Sequence, residues 1–254
     1  MKIFKGFSLI EMAIALAIIG FLVGGLLKPM SLAMDYQKIK YTDITLEQIK
    51  EALVSFAIIN KRLPCPAKCS KYSGKSSDCV DGVVYNANYV GKEDKNDYIV
   101  DIADIYSPDI QFCGIQTGYL PWVDLGIGRY DGWDEPFHYK VDKYYSILNI
   151  LTKINDKGII NSFKTDDSER LKVRDTNNKN YTTTEQPLGH SRIIAIILSS
   201  GKNGDLETGN TGSDATYAWD DYIENGFDDR VTWLSKYTLI NRLLITHNLY
   251  NNTL

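Results

Sequence analysis

The chain begins with its longest apolar stretch. From Phe7 to Leu27, about 20 residues, Glu11 is the only charged side chain, and an apolar run of that length predicts a helix able to span a bilayer. Lys2 and Lys5 precede the run, and lysines at that end favour a cytoplasmic N-terminus. The pattern therefore predicts a single-pass protein whose chain from Lys28 onward lies on the far side of the membrane.

The apolar pattern continues beyond this run, now with polar residues between the apolar ones. Steps of three, four and seven residues place the apolar positions on one face of a helix. We expect one long helix from Phe7 to Asn60 whose second half packs on the rest of the chain. Two helices separated at Pro29 are the alternative, because proline weakens a helix interior. The apolar positions are Leu32, Tyr36, Ile39, Leu46, Ile49, Leu53 and Phe56.

The remainder of the chain, 61–254, is predicted to form one globular domain of strands and turns. Ser191–Leu198 is apolar on both faces, which predicts a central strand. Arg230–Leu234 follows as a return strand, and Tyr237–His247 as a helix with Leu239, Leu243 and Leu244 inward. The pattern predicts an α+β fold in which strands pack on the second half of the long helix. A turn leading into an alternating strand is predicted over Asp131–Val141, and shorter elements are predicted at Gly82–Tyr85, Tyr145–Lys153 and Arg170–Arg174.

Glu11 does not suit a plain membrane anchor. A carboxylate inside a span costs roughly 2.5–3.5 kcal/mol or more, so such a residue normally has a partner and a function. No Lys, Arg or His lies between Gly6 and Leu27. The partner must therefore come from another chain or from a new N-terminal amine.

Basic residues, Gly6, the segment Phe7-Ser8-Leu9-Ile10-Glu11 and the long apolar helix together resemble the prepilin signal of type IV pilins and type II secretion pseudopilins. The resemblance implies that prepilin peptidase removes the leader 1–6 by cleaving between Gly6 and Phe7. It also implies methylation of the new Phe7 amine and an assembly role for Glu11, which would meet that amine on a neighbouring subunit. The implied fold is pilin-like, an α+β fold in which the long N-terminal helix packs on a mostly antiparallel sheet.

The resemblance also implies a structural function and a location. The chain would be a pilus or pseudopilus subunit, held in the bacterial inner membrane with its globular domain in the periplasm until an assembly platform extracts it into a filament. Its partners would be other pilin or pseudopilin subunits, and its size favours a minor subunit. A membrane-tethered or filament-tip binding module is the alternative function. An ordinary secretory signal ending near Ser31-Leu32-Ala33 and a simple anchor with an incidental Glu11 are alternatives for the N-terminus.

The composition indicates an oxidising compartment and argues against some partners. The net charge is −4 and there is no Lys/Arg cluster, which argues against nucleic acid as a partner. The four cysteines, Cys65, Cys69, Cys79 and Cys113, would face an oxidising space, where an even count indicates disulfides. Of three possible connectivities we favour Cys65–Cys113 with Cys69–Cys79. A zinc site made of all four thiolates is the alternative, although the spacing lacks the usual paired knuckles.

The histidines give no sign of catalysis. His138, His190 and His247 are not in a metal-binding spacing, and no Gly-x-Ser-x-Gly elbow is present. The sequence therefore predicts a protein that is not an enzyme.

An acidic, glycine-rich loop follows the central strand and runs to Asp229. Ca²⁺ takes six to eight oxygen ligands in flexible geometry, which such a loop can supply. Ser200–Gly204 leading into this loop also resembles the calcium-binding loop of major pseudopilins, with different spacing. A simply solvated loop is the alternative. The predicted calcium ligands are Asp205, Glu207, Asp214 and Asp220.

Overall fold

One long helix dominates the computed structural model. Helix α1 runs without a break over Leu9–Asn60, so the alternative of two helices separated at Pro29 is wrong. Lys61 ends it in the left-handed conformation, with φ 57°. The structure describes residues 8–67, 91–94, 99–100, 111–147, 151, 171–175, 193–207, 209–211, 215–223 and 226–251, with only the backbone at 23–29, 99–100, 111–112 and 247–251.

A four-stranded antiparallel sheet packs on the second half of this helix. Its strands are β3 (Thr117–Tyr119), β4 (His138–Val141), β6 (Ile193–Ser199) and β8 (Arg230–Ser235), in the order β3-β4-β6-β8. All seven residues of β6 are buried, as expected of a central strand. The predicted α+β architecture of a long helix on a mostly antiparallel sheet is confirmed.

The two faces of the sheet bury different partners. On one face, Ile194, Ala195 and Ile197 pack with the apolar side chains of α1 and with Leu239 of α3 (Lys236–Asn251). On the other, Ile196 and Leu198 pack against a parallel two-stranded pair, β5 (Lys172–Arg174) and β7 (Thr216–Ala218). This parallel pair was not predicted. The short elements β1 (Ile99–Val100), β2 (Gln111–Phe112), α2 (Trp122–Leu125) and a 3-10 helix (Lys143–Ser146) complete the described fold.

Contact between α1 and the globular part begins at Asp35, whose carboxylate accepts a hydrogen bond from Lys202 Nζ (2.7 Å). Gly132 N–H donates to the Thr42 hydroxyl oxygen (2.9 Å). A Cβ on Gly132 would lie 2.4 Å from the carbonyl oxygen of Lys38, so glycine allows this close approach. Leu32 and Tyr36 are both exposed, which corrects their predicted place on the buried face. Leu244 is also exposed, because the inward face of α3 carries Leu239 and Leu243 instead.

Within the part of the chain that the structure describes, no helix combines the length and the apolar character needed to cross a bilayer. The predicted span lies partly outside that part, since Phe7 and the side chains of 23–29 are not described. The predicted strand Gly82–Tyr85 lies wholly outside it. Of the predicted helix Tyr145–Lys153, Tyr145 and Ser146 belong to the 3-10 helix, and most of the remainder is not described.

Candidate functional site

Glu11 lies in the first turn of α1 and takes part in its N-terminal cap. Ile10 N–H donates to the Ser8 hydroxyl oxygen (3.4 Å), and Ser8 N–H donates to Glu11 Oε2 (3.1 Å). This reciprocal arrangement satisfies donors that the start of a helix leaves without partners. Glu11 is exposed in the monomer, so its carboxylate is accessible to a group on another chain. Gly6 and Phe7, the predicted processing site, lie outside the described residues.

The described part of the chain leaves the helix around Glu11 uncovered. Every described side chain in the N-terminal half of α1, residues 9–34, is exposed. Leu9 is 91% exposed and Phe21 is 88% exposed. A contiguous apolar surface of this size marks a site that contacts a membrane or another protein.

A second site lies in the acidic loop, where three carboxylates converge. Asp228 and Asp229 come just before β8, and the pairing of Ser199 with Arg230 brings them beside the turn after β6. Asp228 is 6% exposed and Asp229 is 1% exposed. Together with Glu207 they present oxygens that all lie within 4.8 Å of one another, a spacing that could hold a metal ion.

In each carboxylate of this cluster, one oxygen accepts hydrogen bonds from other groups of the protein. Asp228 Oδ2 accepts from Lys202 N–H (2.8 Å) and Asn203 N–H (2.9 Å). Asp229 Oδ2 accepts from the Asn210 side-chain amide (2.7 Å) and from Glu207 N–H (3.0 Å). The second oxygens, Glu207 Oε2, Asp228 Oδ1 and Asp229 Oδ1, are buried and accept no hydrogen bond. Buried oxygens without a donor are costly, so a ligand that supplies positive charge would stabilise them.

The electrostatics of the cluster agree with its geometry. Burial, followed by hydrogen bonding and repulsion from Glu207, raises the pKa of Asp228 to about 6. Burial is also the main reason that the pKa values of Glu207 and Asp229 are raised. The three groups therefore hold protons more tightly than free carboxylates when no cation is bound.

The structure places the predicted ligands in different positions. Glu207 belongs to the cluster, whereas Asp205 and Asp220 do not, and Asp214 lies outside the described residues. Asp228 and Asp229 were not among the predicted ligands. The signal that could have found them is their position directly before a return strand, which brings them back to the end of β6.

Comparison with family models matches residues 1–27 to the prokaryotic N-terminal methylation motif. The chain carries a prepilin-type signal. The match covers Gly6, Phe7 and Glu11, and it supports a pilin- or pseudopilin-like subunit that is anchored in a membrane and assembles with other pilin subunits. Comparison with curated proteins and with solved structures finds no match.

The globular part of this prepilin-type chain is tied to the end of α1 by a disulfide. Cys65 and Cys113 are bonded and fully buried, as predicted. The alternative of a zinc ion held by all four thiolates is wrong, because a disulfide sulfur is not a thiolate ligand. Cys69 and Cys79 lie outside the described residues.

A buried ion pair supports the same junction. The Arg62 guanidinium donates to both carboxylate oxygens of Glu93, at 2.8 and 2.9 Å. Glu93 Oε2 also accepts from Cys65 N–H (3.0 Å). Bidentate geometry and additional hydrogen bonds are what a buried ion pair requires. The pair fixes the chain where it leaves α1 and enters the disulfide.

Proposed function

We propose that this protein is a subunit, and by its size a minor one, of a type IV pilus or type II secretion pseudopilus. The observation that carries the proposal is the methylation motif over residues 1–27, joined to a helix whose N-terminal half is apolar and exposed. Prepilin peptidase would cleave after Gly6, and the Phe7 amine would be methylated. The function is structural rather than enzymatic.

The N-terminal half of α1 would first lie in the inner membrane and then in the filament core. The globular domain would face the periplasm, and an assembly platform would move the subunit from one setting to the other. Both settings bury the apolar side chains that the monomer leaves exposed. The membrane supports the subunit before assembly, and neighbouring subunits replace it afterwards.

Glu11 would direct the assembly step. In a low-dielectric core, a carboxylate and an amine attract strongly, whereas either group alone is costly. Glu11 is exposed and needs only to exchange its hydrogen bond from Ser8 N–H for the Phe7 amine of a neighbour. An incoming subunit then joins the filament only where both charges are neutralised.

The test is the recovery of Glu11→Leu in sheared filaments or pseudopilus fractions. We expect the variant to insert in the membrane but to be lost from the filament fraction, because leucine favours the bilayer and cannot pair with an amine. Glu51→Leu is the matched control, since Glu51 is an exposed glutamate on the same helix, paired with Arg242. Recovery of Glu11→Leu equal to wild type would contradict the proposal and favour the tethered binding module.

We propose further that Glu207, Asp228 and Asp229 hold Ca²⁺. Three converging carboxylates with three buried, unpartnered oxygens supply the hard oxygen ligands that Ca²⁺ prefers. Binding to the folded state alone raises the melting temperature by mass action. We expect the full-length protein to melt higher in millimolar Ca²⁺ than in EGTA, and Asp229→Asn to reduce the difference. Identical melting temperatures in the two solutions would refute the site.

A further inference from the structure

The two edges of the four-stranded sheet differ in whether their outward backbone groups are hydrogen-bonded. At the β3 edge, Ala67 and Tyr119 exchange two backbone hydrogen bonds, both 2.8 Å long. A Cβ on Gly118 would lie 2.7 Å from the carbonyl oxygen of Ala67, so this edge is tightly covered. At the β8 edge, no backbone group in the described ranges pairs with the side of the strand that faces away from β6. Alternate residues of an antiparallel strand direct their N–H and C=O groups to that side.

A cavity of about 490 Å³ lies along β8. Charged and apolar side chains of α1 form one wall, and the indoles of Trp219 and Trp233 form part of the other. Thr238, at the start of α3, lies at the end of the strand. The lining residues are Asp43, Leu46, Glu47, Lys50, Trp219, Arg230, Val231, Thr232, Trp233, Ser235 and Thr238.

The lining shows that the cavity crosses the open edge of the sheet. Helix α1 covers one face of the sheet, whereas Trp219, Val231 and Trp233 pack in the cluster on the opposite face. One cavity that contacts both sets of side chains must pass around the outer edge of β8. Open backbone groups of an edge strand beside a helix are the geometry that accepts an extended peptide as an additional strand.

We propose that β8 is a docking edge for an extended segment of a different protein, which adds to the sheet as a fifth strand. Side chains alternate between the two sides of a strand. One set would enter between Trp219 and Trp233, and the other would meet the helical wall at Asp43, Glu47 and Lys50. The length of β8, Arg230–Ser235, matches a segment of six residues.

The charges of the cleft indicate which side chains the segment carries. Arg230 donates to both oxygens of Asp43, each at 2.9 Å. Lys50 pairs with Glu47 at 2.7 Å. Because both carboxylates are already paired, the helical wall favours neutral polar side chains such as threonine. The indole wall favours apolar or aromatic ones. The partner is therefore a segment in which neutral polar and apolar residues alternate.

This inference does not rest on filament assembly, because β8 and the cleft lie away from Glu11 and from the exposed half of α1. A segment of any neighbouring protein with this pattern would fit. The recognition is carried by backbone hydrogen bonds, with the two walls giving selectivity for alternating side chains.

The test uses the full-length protein in detergent and an acetylated hexapeptide in which threonine alternates with phenylalanine. Two further peptides carry N-methyl groups on one or the other set of alternate amides. Only the set that faces β8 donates hydrogen bonds, so we expect one methylated peptide to bind like the parent and the other about 10-fold or more weakly. Binding is followed by tryptophan fluorescence, and hydrogen exchange should show new protection confined to alternate amides of β8.

A variant of the indole wall supplies a second measurement. Trp219→Leu should weaken binding of the parent peptide, whereas Trp122→Leu, a tryptophan outside the cleft, should leave it unchanged. The proposal would be overturned if the β8 amides were as protected as those of β6 before any peptide is added. No binding of the parent peptide, or equal binding of both methylated peptides, would also overturn it. So would competition by a disaccharide such as maltose. Concentration-dependent protection of β8 without peptide would also overturn it, since the partner would then be a second copy of the chain.

Discussion

The two halves of α1 have the same secondary structure and opposite surroundings. In residues 9–34 every described side chain is exposed, and most are apolar. In residues 35–60, Ile49, Leu53 and Ala57 have no exposed surface. Among the described residues, one half has no partner, and the other half forms the centre of the core. The difference indicates that the C-terminal half stabilises the monomer, whereas the N-terminal half serves contacts that the monomer does not contain.

The polar side chains of the two halves also make different kinds of contact. Glu11 caps its own helix and is exposed, without contact to the globular part among the described residues. Thr42 and Asp43, further along, make fixed contacts with Gly132 and Arg230 of the globular part. Under the proposed assembly role of Glu11, the helix would carry an intermolecular function at one end and an intramolecular function at the other.

Truncation of matched leucines tests this contrast most strongly. Leu53→Ala should lower the free energy of unfolding of the globular part by about 2–5 kcal/mol, because it removes a fully buried side chain. Leu16→Ala, at a leucine that is 64% exposed, should change it by about 0.5 kcal/mol or less. Urea unfolding of the full-length variants in detergent measures both. Equal losses would show that the two halves are not distinct.

The disulfide sharpens the comparison at the C-terminal end of the helix. Cys65 and Cys113 are 48 residues apart, so replacing both with serine frees a long loop in the unfolded chain. We expect a loss of about 2–4 kcal/mol in the free energy of unfolding. Removal of the leader should continue, because the N-terminal half does not contact the disulfide. A variant that is no longer processed would show that the halves depend on each other.

The acidic cluster gives a smaller, pH-dependent effect that should spare the N-terminal half. The folded-state pKa of Asp228, about 6, is above its unfolded value, so the folded state binds more protons between about pH 4 and pH 6. Without a cation, this group therefore makes the protein less stable as the pH rises through that window. Asp228→Asn should remove this part of the decline, and Ca²⁺ should offset it in wild type at neutral pH. Denaturant unfolding from pH 4 to pH 7.5, in EGTA and in Ca²⁺, measures it. A pH dependence identical in wild type and Asp228→Asn would contradict the assignment.

Local patterns were sufficient to predict the long helix and the central strand. The apolar run from Ile193 to Leu198 has no polar position to expose, so it had to lie inside a sheet. The position along α1 at which the sheet begins to cover the helix could not be predicted. The helical periodicity at Leu32 and Tyr36 is the same whether or not a partner lies opposite. The prediction that Leu244 faces inward was wrong for a simple geometric reason. Leu244 follows Leu243 by one residue and so faces another direction around α3.

Contacts between distant segments were the part that sequence could not supply. Strands β5 and β7 have three residues each and pair in parallel across a long connection, without a turn to indicate it. Asp228 and Asp229 reach Glu207 only because Ser199 pairs with Arg230. The cluster is set by strand register, whereas the loop composition indicated only that acidic groups were abundant.

The most direct test of the central claim is the mature N-terminus, determined by mass spectrometry of the protein from its native membrane. The account predicts a chain that begins with N-methylated Phe7. Gly6→Val is the control and should leave the precursor uncleaved but still membrane-bound, because glycine leaves the cleavage site without a side chain. An intact Met1 in the wild type, or a chain that begins at Met34, would contradict the account.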